Sequence, residues 1–321
     1  MATNSKQVLY DYSPLIKVYT DGSVERLMGT EIIPASVDPE TGVQSKDVII
    51  SAELAVSARL YLPKNAEPGR KLPLLVYYHG GGFFSESAFS VTYHTHLNAL
   101  VAEANVVAIS VEYRLAPEHP LPAAYEDAWL ALNWVASRSS TGEDGGGPEE
   151  WLTDYADFDR LFVGGDSAGG NIAHNMALKL GVEGLKGVRL EGMFLNCPFF
   201  WGKEAIGVET KNLPLKLNVD KFWHYVYPTT TGVDDPLANV VKEPKLASLG
   251  CKRVLVYVAE QDILKDRGWL YKQELEKGGW NGEIEIVEVE EEGHVFNLRF
   301  PKGEKSLSLL KKLASFINMH G

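Results

Sequence analysis

The residues of this chain that can do chemistry sit in a few short stretches. In LFVGGDSAGGNIAH (161–174) a single serine, Ser167, stands among four glycines, between an apolar run and a helix-like run. Glycine-rich turns between strand and helix also cradle phosphates, but the letters exclude that chemistry here. A P-loop closes on Gly-Lys-Ser/Thr, whereas Gly170 precedes Asn171, and G-x-G-x-x-G matches at no register. What remains is G-x-S-x-G, from Gly165 through Ser167 to Gly169. At a sharp strand-to-helix turn such a serine takes a strained backbone conformation that lifts its hydroxyl above the sheet. The residues two before and two after must then be small, or they collide with neighbouring backbone. The plainer alternative is a glycine-rich turn whose serine caps the following helix.

A second stretch, HGGGF (79–83), directly follows the apolar run LPLLVYY. Three consecutive glycines let backbone N–H groups turn toward a shared point. Those of Gly81 and Gly82, with that of Ala168 beside the serine, would form an oxyanion hole for a tetrahedral intermediate. The alternative is a flexible turn. A serine hydroxyl is a weak nucleophile without a base, and the base needs an orienting carboxylate. Asp262 follows the apolar run RVLVYVA, and His294 follows EIEIVEV after Gly293; both lie just past strand-like segments, where sheet sites collect functional groups. The order Ser167, Asp262, His294 is that of the α/β-hydrolase triad. Glu260 and Asp266 compete for the acid role, and Asp262 has a second reading as a helix cap. His94, His96, His119, His174, His224 and His320 fall in or beside helix-like segments or at the terminus, where packing is the better reading.

These groups need a frame. From about residue 73 onward strand-like and helix-like segments alternate: LPLLVYYH, HTHLNALVAEA, NVVAISV, AAYEDAWLALNWVASRS, RLFVGG, AGGNIAHNMALKLG, LEGMFLNC, and later RVLVYVA, WLYKQELEKGG, GEIEIVEV and EKSLSLLKKLASFIN. That rhythm predicts crossover units and a mostly parallel sheet in a three-layer α/β sandwich. The earlier runs KDVII and VSARLYLP alternate like half-buried antiparallel strands. Residues 1–45 are polar and rich in turn signals and read as an irregular arm; 141–159 reads as an exposed glycine- and acid-rich loop. The aromatic-rich segment 199–236 is expected as an inserted helical cap.

With 321 residues, 45% of them apolar and 23% charged, the chain is expected to form one large α/β domain with its own core. A formal net charge of −12 opposes binding to nucleic acid or an anionic membrane, which points to a small-molecule partner. Cys197 and Cys251 form no C-x-x-C pair and have no histidine at zinc-like spacing, so both are expected to be buried and reduced, with no metal. Without a secretory signal or a membrane-spanning apolar run, a cytoplasmic location is expected. The composition leaves oligomeric state open.

Taken together, YYHGGGF, VEYRLAPEHPLPAAYEDAW, GGDSAGGNIAH, DILKDRG and EGHVF resemble the ordered motifs of the hormone-sensitive-lipase-like α/β-hydrolases, and within them the plant carboxylesterases. LIKVYTDGSVERL and DPETGVQSKDV extend the resemblance over nearly the whole chain. The resemblance implies an α/β-hydrolase three-layer sandwich with a mostly parallel central sheet, over residues 1–321 as a single domain. Its helical cap would come from the N-terminal arm, about 1–45, and from the insertion at 199–236. It implies a cofactor-free serine carboxylesterase that cleaves small-molecule esters through an acyl-enzyme. Two related activities share this fold: a 2-hydroxyisoflavanone dehydratase-type lyase and a non-catalytic receptor like that for gibberellin. The retained His294 and Ser167 favour hydrolysis over both. Asp166 is then a structural residue of the turn, and Arg114, Glu118 and Asp127 form a supporting ion network. Phe83, Phe84, Phe199 and Phe222 are candidates for an apolar substrate pocket, as are Phe200, Trp201 and Trp223, with core packing as the competing role for each.

Overall fold

The computed structural model describes residues 6–139 and 149–319. The arm is not irregular. Strands β1 (Val8–Tyr12), β2 (Ile16–Tyr19) and β3 (Val24–Arg26) form a small antiparallel sheet in the order β1-β2-β3. In β2 the alternation of buried Ile16 and Val18 with half-buried Lys17 and Tyr19 is the period-2 pattern of a half-buried strand. Strands of three to five residues between turns are too short for that pattern to stand out in the sequence. The arm therefore contributes a sheet, not a helix, to the cover over the site.

The main sheet is built from β4 (Gln44–Ser51), β5 (Val56–Leu62), β6 (Leu72–Tyr78), β7 (Val107–Glu112), β8 (Ala156–Asp166), β9 (Leu190–Asn196), β10 (Arg253–Ala259) and β11 (Glu283–Val289). They lie in the order β11-β10-β9-β8-β6-β7-β5-β4. Pairing is parallel from β11 through to β7, whereas β5 runs antiparallel to both β7 and β4. The change of character expected near residue 73 is thus real.

The helices are α1 (Val91–Ala104), α2 (Ala123–Ser137), α3 (Glu150–Tyr155), α4 (Ala168–Glu183), α5 (Leu213–Val226), α6 (Lys265–Lys277), α7 (Phe296–Arg299) and α8 (Glu304–Asn318). Part of the segment read as a loop is ordered: the Glu149 side chain caps α3 by accepting the Trp151 N–H, Leu152 is buried, and β8 begins at Ala156. Residues 141–148 of that segment, and His320, lie outside the described residues.

Two cores explain the three layers. Leu74, Val76 and Tyr78 of β6 join a cluster with side chains of α2, α4 and α6, while Leu75 and Tyr77 face a second cluster with α1 and α8. Every residue of β6 is buried, as a strand covered on both faces requires. Each large apolar side chain withdrawn in this way contributes about 1.5–3 kcal/mol.

The insertion contains a short turn and one longer helix. A 3-10 turn at Gly207–Lys211 leads into α5, which starts at Leu213 behind the Asn212 cap with Pro214 in its first turn, and buries Phe222 and Trp223. The expected ion network separates into two pairs: Arg114 holds buried Asp127 at 2.7 Å, whereas Glu118 is bound by Arg26 of the arm at 2.6 Å.

Candidate active site

Because β6, β8, β9, β10 and β11 run in parallel, their C-terminal ends open on one edge, where α/β sheets place their sites. Ser167 stands between β8 and α4 with φ 51° and ψ −116°, a strained conformation for a residue with a side chain. It is no helix cap by side chain: no cap hydrogen bond forms from it. The turn is possible because Gly169 has no Cβ; one would lie 1.9 Å from the Tyr78 carbonyl oxygen.

The structure brings the three predicted residues together. The Ser167 hydroxyl and His294 Nε2 are 2.9 Å apart, and His294 Nδ1 donates to Asp262 Oδ2 at 2.6 Å. The helix-cap reading of Asp262 fails: its other oxygen, Oδ1, accepts the Leu264 N–H at 3.0 Å and fixes the turn after β10, but α6 begins at Lys265 behind Leu264 with no side-chain cap. The rival acids are committed elsewhere: Glu260 accepts the Glu291 N–H and Asp266 accepts the Val208 N–H. Desolvation opposes charge on both members of the pair. Their mutual attraction outweighs it, so His294 titrates well above the ordinary imidazole range and Asp262 below the ordinary carboxylate range.

Gly81 and Gly82 have φ values of 93° and 64°, and a Cβ at Gly81 would lie 2.1 Å from the Ser85 carbonyl oxygen. Both glycines line the same cleft as Ser167. No acceptor within the described residues takes the N–H of Gly81, Gly82 or Ala168, the last being the first residue of α4. The loop is pinned from below by groups that the sequence reading left without a role. His79 Nδ1 donates to the Gly80 carbonyl at 2.9 Å, its ring stacks on Tyr113 at 4.2 Å, and burial lowers its pKa to about 4, which keeps it neutral. Tyr93 accepts the Gly80 N–H at 2.7 Å and donates to Asp166 at 2.8 Å; Tyr77 donates to the other Asp166 oxygen. Burial raises Asp166 to about 6 despite these two donors.

The cleft above Ser167 has a volume of about 550 Å³ and is mostly apolar. Phe84, Phe199 and Phe222 line it. Phe83 does not: it packs beneath, against Tyr125, Phe199 and Trp223, because φ 64° turns its side chain into the core. Phe200 packs against His174 and Tyr271, and Trp201 and Trp223 are likewise buried in the core. Tyr12, Leu15 and Met28 of the arm and Leu215 and Val219 of α5 complete the walls. Short arm strands and an amphipathic helix gave no sequence signal for these contacts.

Among the described residues, the one group of three side chains able to ligate a metal is Cys197, Asp262 and His294, whose donor atoms lie within 4.8 Å of one another. Asp262 and His294 already share a 2.6 Å hydrogen bond, which leaves no room for a cation between them, and burial holds the Cys197 thiol above its usual pKa. No helix among the described residues is long and apolar enough to cross a membrane.

A strained serine at the β8–α4 turn, a relay from the ends of β10 and β11 and a glycine loop after β6 define an α/β hydrolase. A family profile described as alpha/beta hydrolase fold matches residues 75–298, and the chain belongs to that family. It is 45% identical to a 2-hydroxyisoflavanone dehydratase of Glycyrrhiza echinata, over 98% of both chains, and 45% identical to probable carboxylesterase 2 of Arabidopsis thaliana, over 99% of both. The structure resembles a hyperthermophilic esterase from the archaeon Pyrobaculum calidifontis, with a TM-score of 0.70 and 30% identity over 85% of each chain.

Proposed function

We propose that this protein is a serine carboxylesterase that hydrolyses small-molecule esters with Ser167 as nucleophile, His294 as general base and Asp262 as its orienting acid. The observation that carries this reading is the continuous relay from Asp262 through His294 to Ser167, at 2.6 and 2.9 Å. Asp262 fixes the imidazole with Nδ1 protonated, so Nε2 is free to take the serine proton as Oγ attacks the ester carbonyl. The carbonyl oxygen gains negative charge beside the N–H groups of Gly81, Gly82 and Ala168, which form the oxyanion hole. The imidazolium returns its proton to the departing alcohol; a water, deprotonated by the same imidazole, then releases the acid and restores Ser167. Each oxyanion donor lowers the barrier by about 3 kcal/mol. No cofactor is required by these steps.

Phe84, Phe199 and Phe222 hold the apolar part of the substrate. The whole chain acts as one α/β-hydrolase domain, with residues 1–45 and 199–236 as its cap. Both cysteines are buried free thiols, which suits a reducing cytoplasmic compartment. A role in specialised metabolism is in keeping with the plant relatives.

One second reading has a specific support, the 45% identity to a protein named 2-hydroxyisoflavanone dehydratase. Elimination would use His294 as base without a Ser167 adduct. Incubation of wild type and Ser167→Ala with acyl nitrophenyl esters and with a 2-hydroxyisoflavanone separates the two: ester hydrolysis lost in the variant supports the esterase, and dehydration retained without the serine supports the lyase.

A further inference from the structure

One carboxyl on the cleft wall has no part in the acyl transfer. Glu86 lies just past the oxyanion glycines, is 6% exposed, and lines the cavity. Its backbone is left-handed, with φ 71°, a conformation unfavourable for a non-glycine residue. It is held there from two sides. A Cβ on Gly29 of the arm would lie 2.2 Å from the Glu86 Cα, and one on Gly81 would lie 3.0 Å from its Cβ.

The carboxyl is under-satisfied for its burial. Its donors are the Ser90 hydroxyl, 2.8 Å from Oε2, and the Ser87 N–H. A carboxylate has about four acceptor sites, and no cation is among the groups that act on this one. Desolvation and the nearby Asp166 push its pKa up, as expected for acceptor capacity that nothing in the protein fills. In a mostly apolar cleft such a group discriminates strongly. A site built to bond a substrate hydroxyl rejects the analogue that lacks it, because the buried acceptor is then left unpaired.

We propose that Glu86 is a specificity determinant of the cleft, accepting a hydrogen bond from a hydroxyl group of the substrate, so that preferred esters carry a hydroxyl on the part lying against the oxyanion-loop wall. The inference rests on the carboxylesterase reading above.

Two measurements on the full chain test it, with 4-nitrophenyl 3-phenylpropanoate and its 2-, 3- and 4-hydroxyphenyl counterparts as probes. The first is kcat/KM of wild type and Glu86→Gln; the second is equilibrium binding of the intact esters to Ser167→Ala, which needs no turnover. At least one hydroxylated isomer is expected to be favoured tenfold or more in both, and Glu86→Gln is expected to lower kcat/KM for that isomer at least tenfold more than for the unsubstituted ester. Equal treatment of all four probes, survival of the preference in Glu86→Gln, or a parallel loss on every probe would overturn the proposal. Selective binding to Ser167→Ala without hydrolysis by wild type would instead overturn the esterase reading and leave this one standing.

Discussion

The Tyr93 hydroxyl donates to Asp166 at 2.8 Å, one residue before the serine of the strained turn. The same hydroxyl accepts the Gly80 N–H at 2.7 Å, so a single oxygen fixes the β8–α4 turn relative to the glycine loop after β6. Ser167 and the glycines of the proposed oxyanion hole follow different strands, and their mutual position is set by this bridge.

Tyr93→Phe removes the bridge and leaves the ring. Buried Gly80 N–H and one Asp166 oxygen lose their partner, which costs about 1–3 kcal/mol of stability. A slight misplacement of catalytic groups can cost up to about 10²-fold. The expected result is a fall of kcat by roughly ten- to a hundredfold with KM little changed, read by steady-state kinetics beside urea unfolding.

The His294–Asp262 pair sets the pH response. Catalysis needs neutral His294, whose pKa is raised, so the ascending limb of kcat/KM should fall above the pH of about 6.5 typical of a free imidazole. Asp262→Asn removes the carboxylate, shifts that limb toward lower pH, and lowers kcat on the order of 10⁴-fold. Stability follows with opposite signs for the two groups. His294, raised in the folded state, stabilises fully below about pH 6.5 and less as pH rises through its folded value; Asp262, lowered, stabilises above about pH 3.9 and less as pH falls through its folded value. The pair therefore stabilises most between those limits. A stability difference between wild type and Asp262→Asn that is flat from pH 3 to 10 would contradict this.

Arg26 ties the arm to the cleft. Its guanidinium binds Glu118 with two nitrogens and donates to the Phe84 and Ala116 carbonyls. Arg26→Ala should loosen the arm residues that line the cleft and raise KM several-fold, with a smaller effect on kcat. Arg26→Lys should restore little, because one ammonium cannot reproduce the planar fork. Unchanged KM in both variants would show that the arm is held by its aromatic contacts alone.

Arg267 of α6 pairs with Glu209 of the insertion at 2.6 Å, both almost fully buried. Breaking such a pair by removing one partner costs about 3–5 kcal/mol, since the other charge is left without compensation. Glu209→Ala should lower the denaturation midpoint accordingly, whereas removing the exposed Lys302–Glu40 pair should change stability by less than about 1 kcal/mol.

The sheet, its parallel character and the Ser167, Asp262 and His294 constellation were legible because each rests on a local signal: an apolar run, a glycine pattern, a polar residue just past a strand. What was hidden depends on backbone geometry that composition does not carry. Phe83 and Phe84 are identical letters, yet φ 64° at Phe83 sends its ring into the core while Phe84 faces the cleft. Glu86 reads as an ordinary loop acid until its left-handed backbone and the packing of Gly29 place it on the wall. The arm strands β1, β2 and β3 were masked by the turn residues between them, and α3 by the acid-rich stretch before it.

Transfer of the acyl group to Ser167 is tested by quenching the reaction with 4-nitrophenyl acetate during its first turnover and mapping the adduct by peptide mass spectrometry. One acetyl group per chain is expected, on Ser167, with a matching burst of nitrophenolate that is absent in Ser167→Ala. Turnover without an adduct on Ser167, or hydrolysis by Ser167→Ala near the wild-type rate, would contradict it.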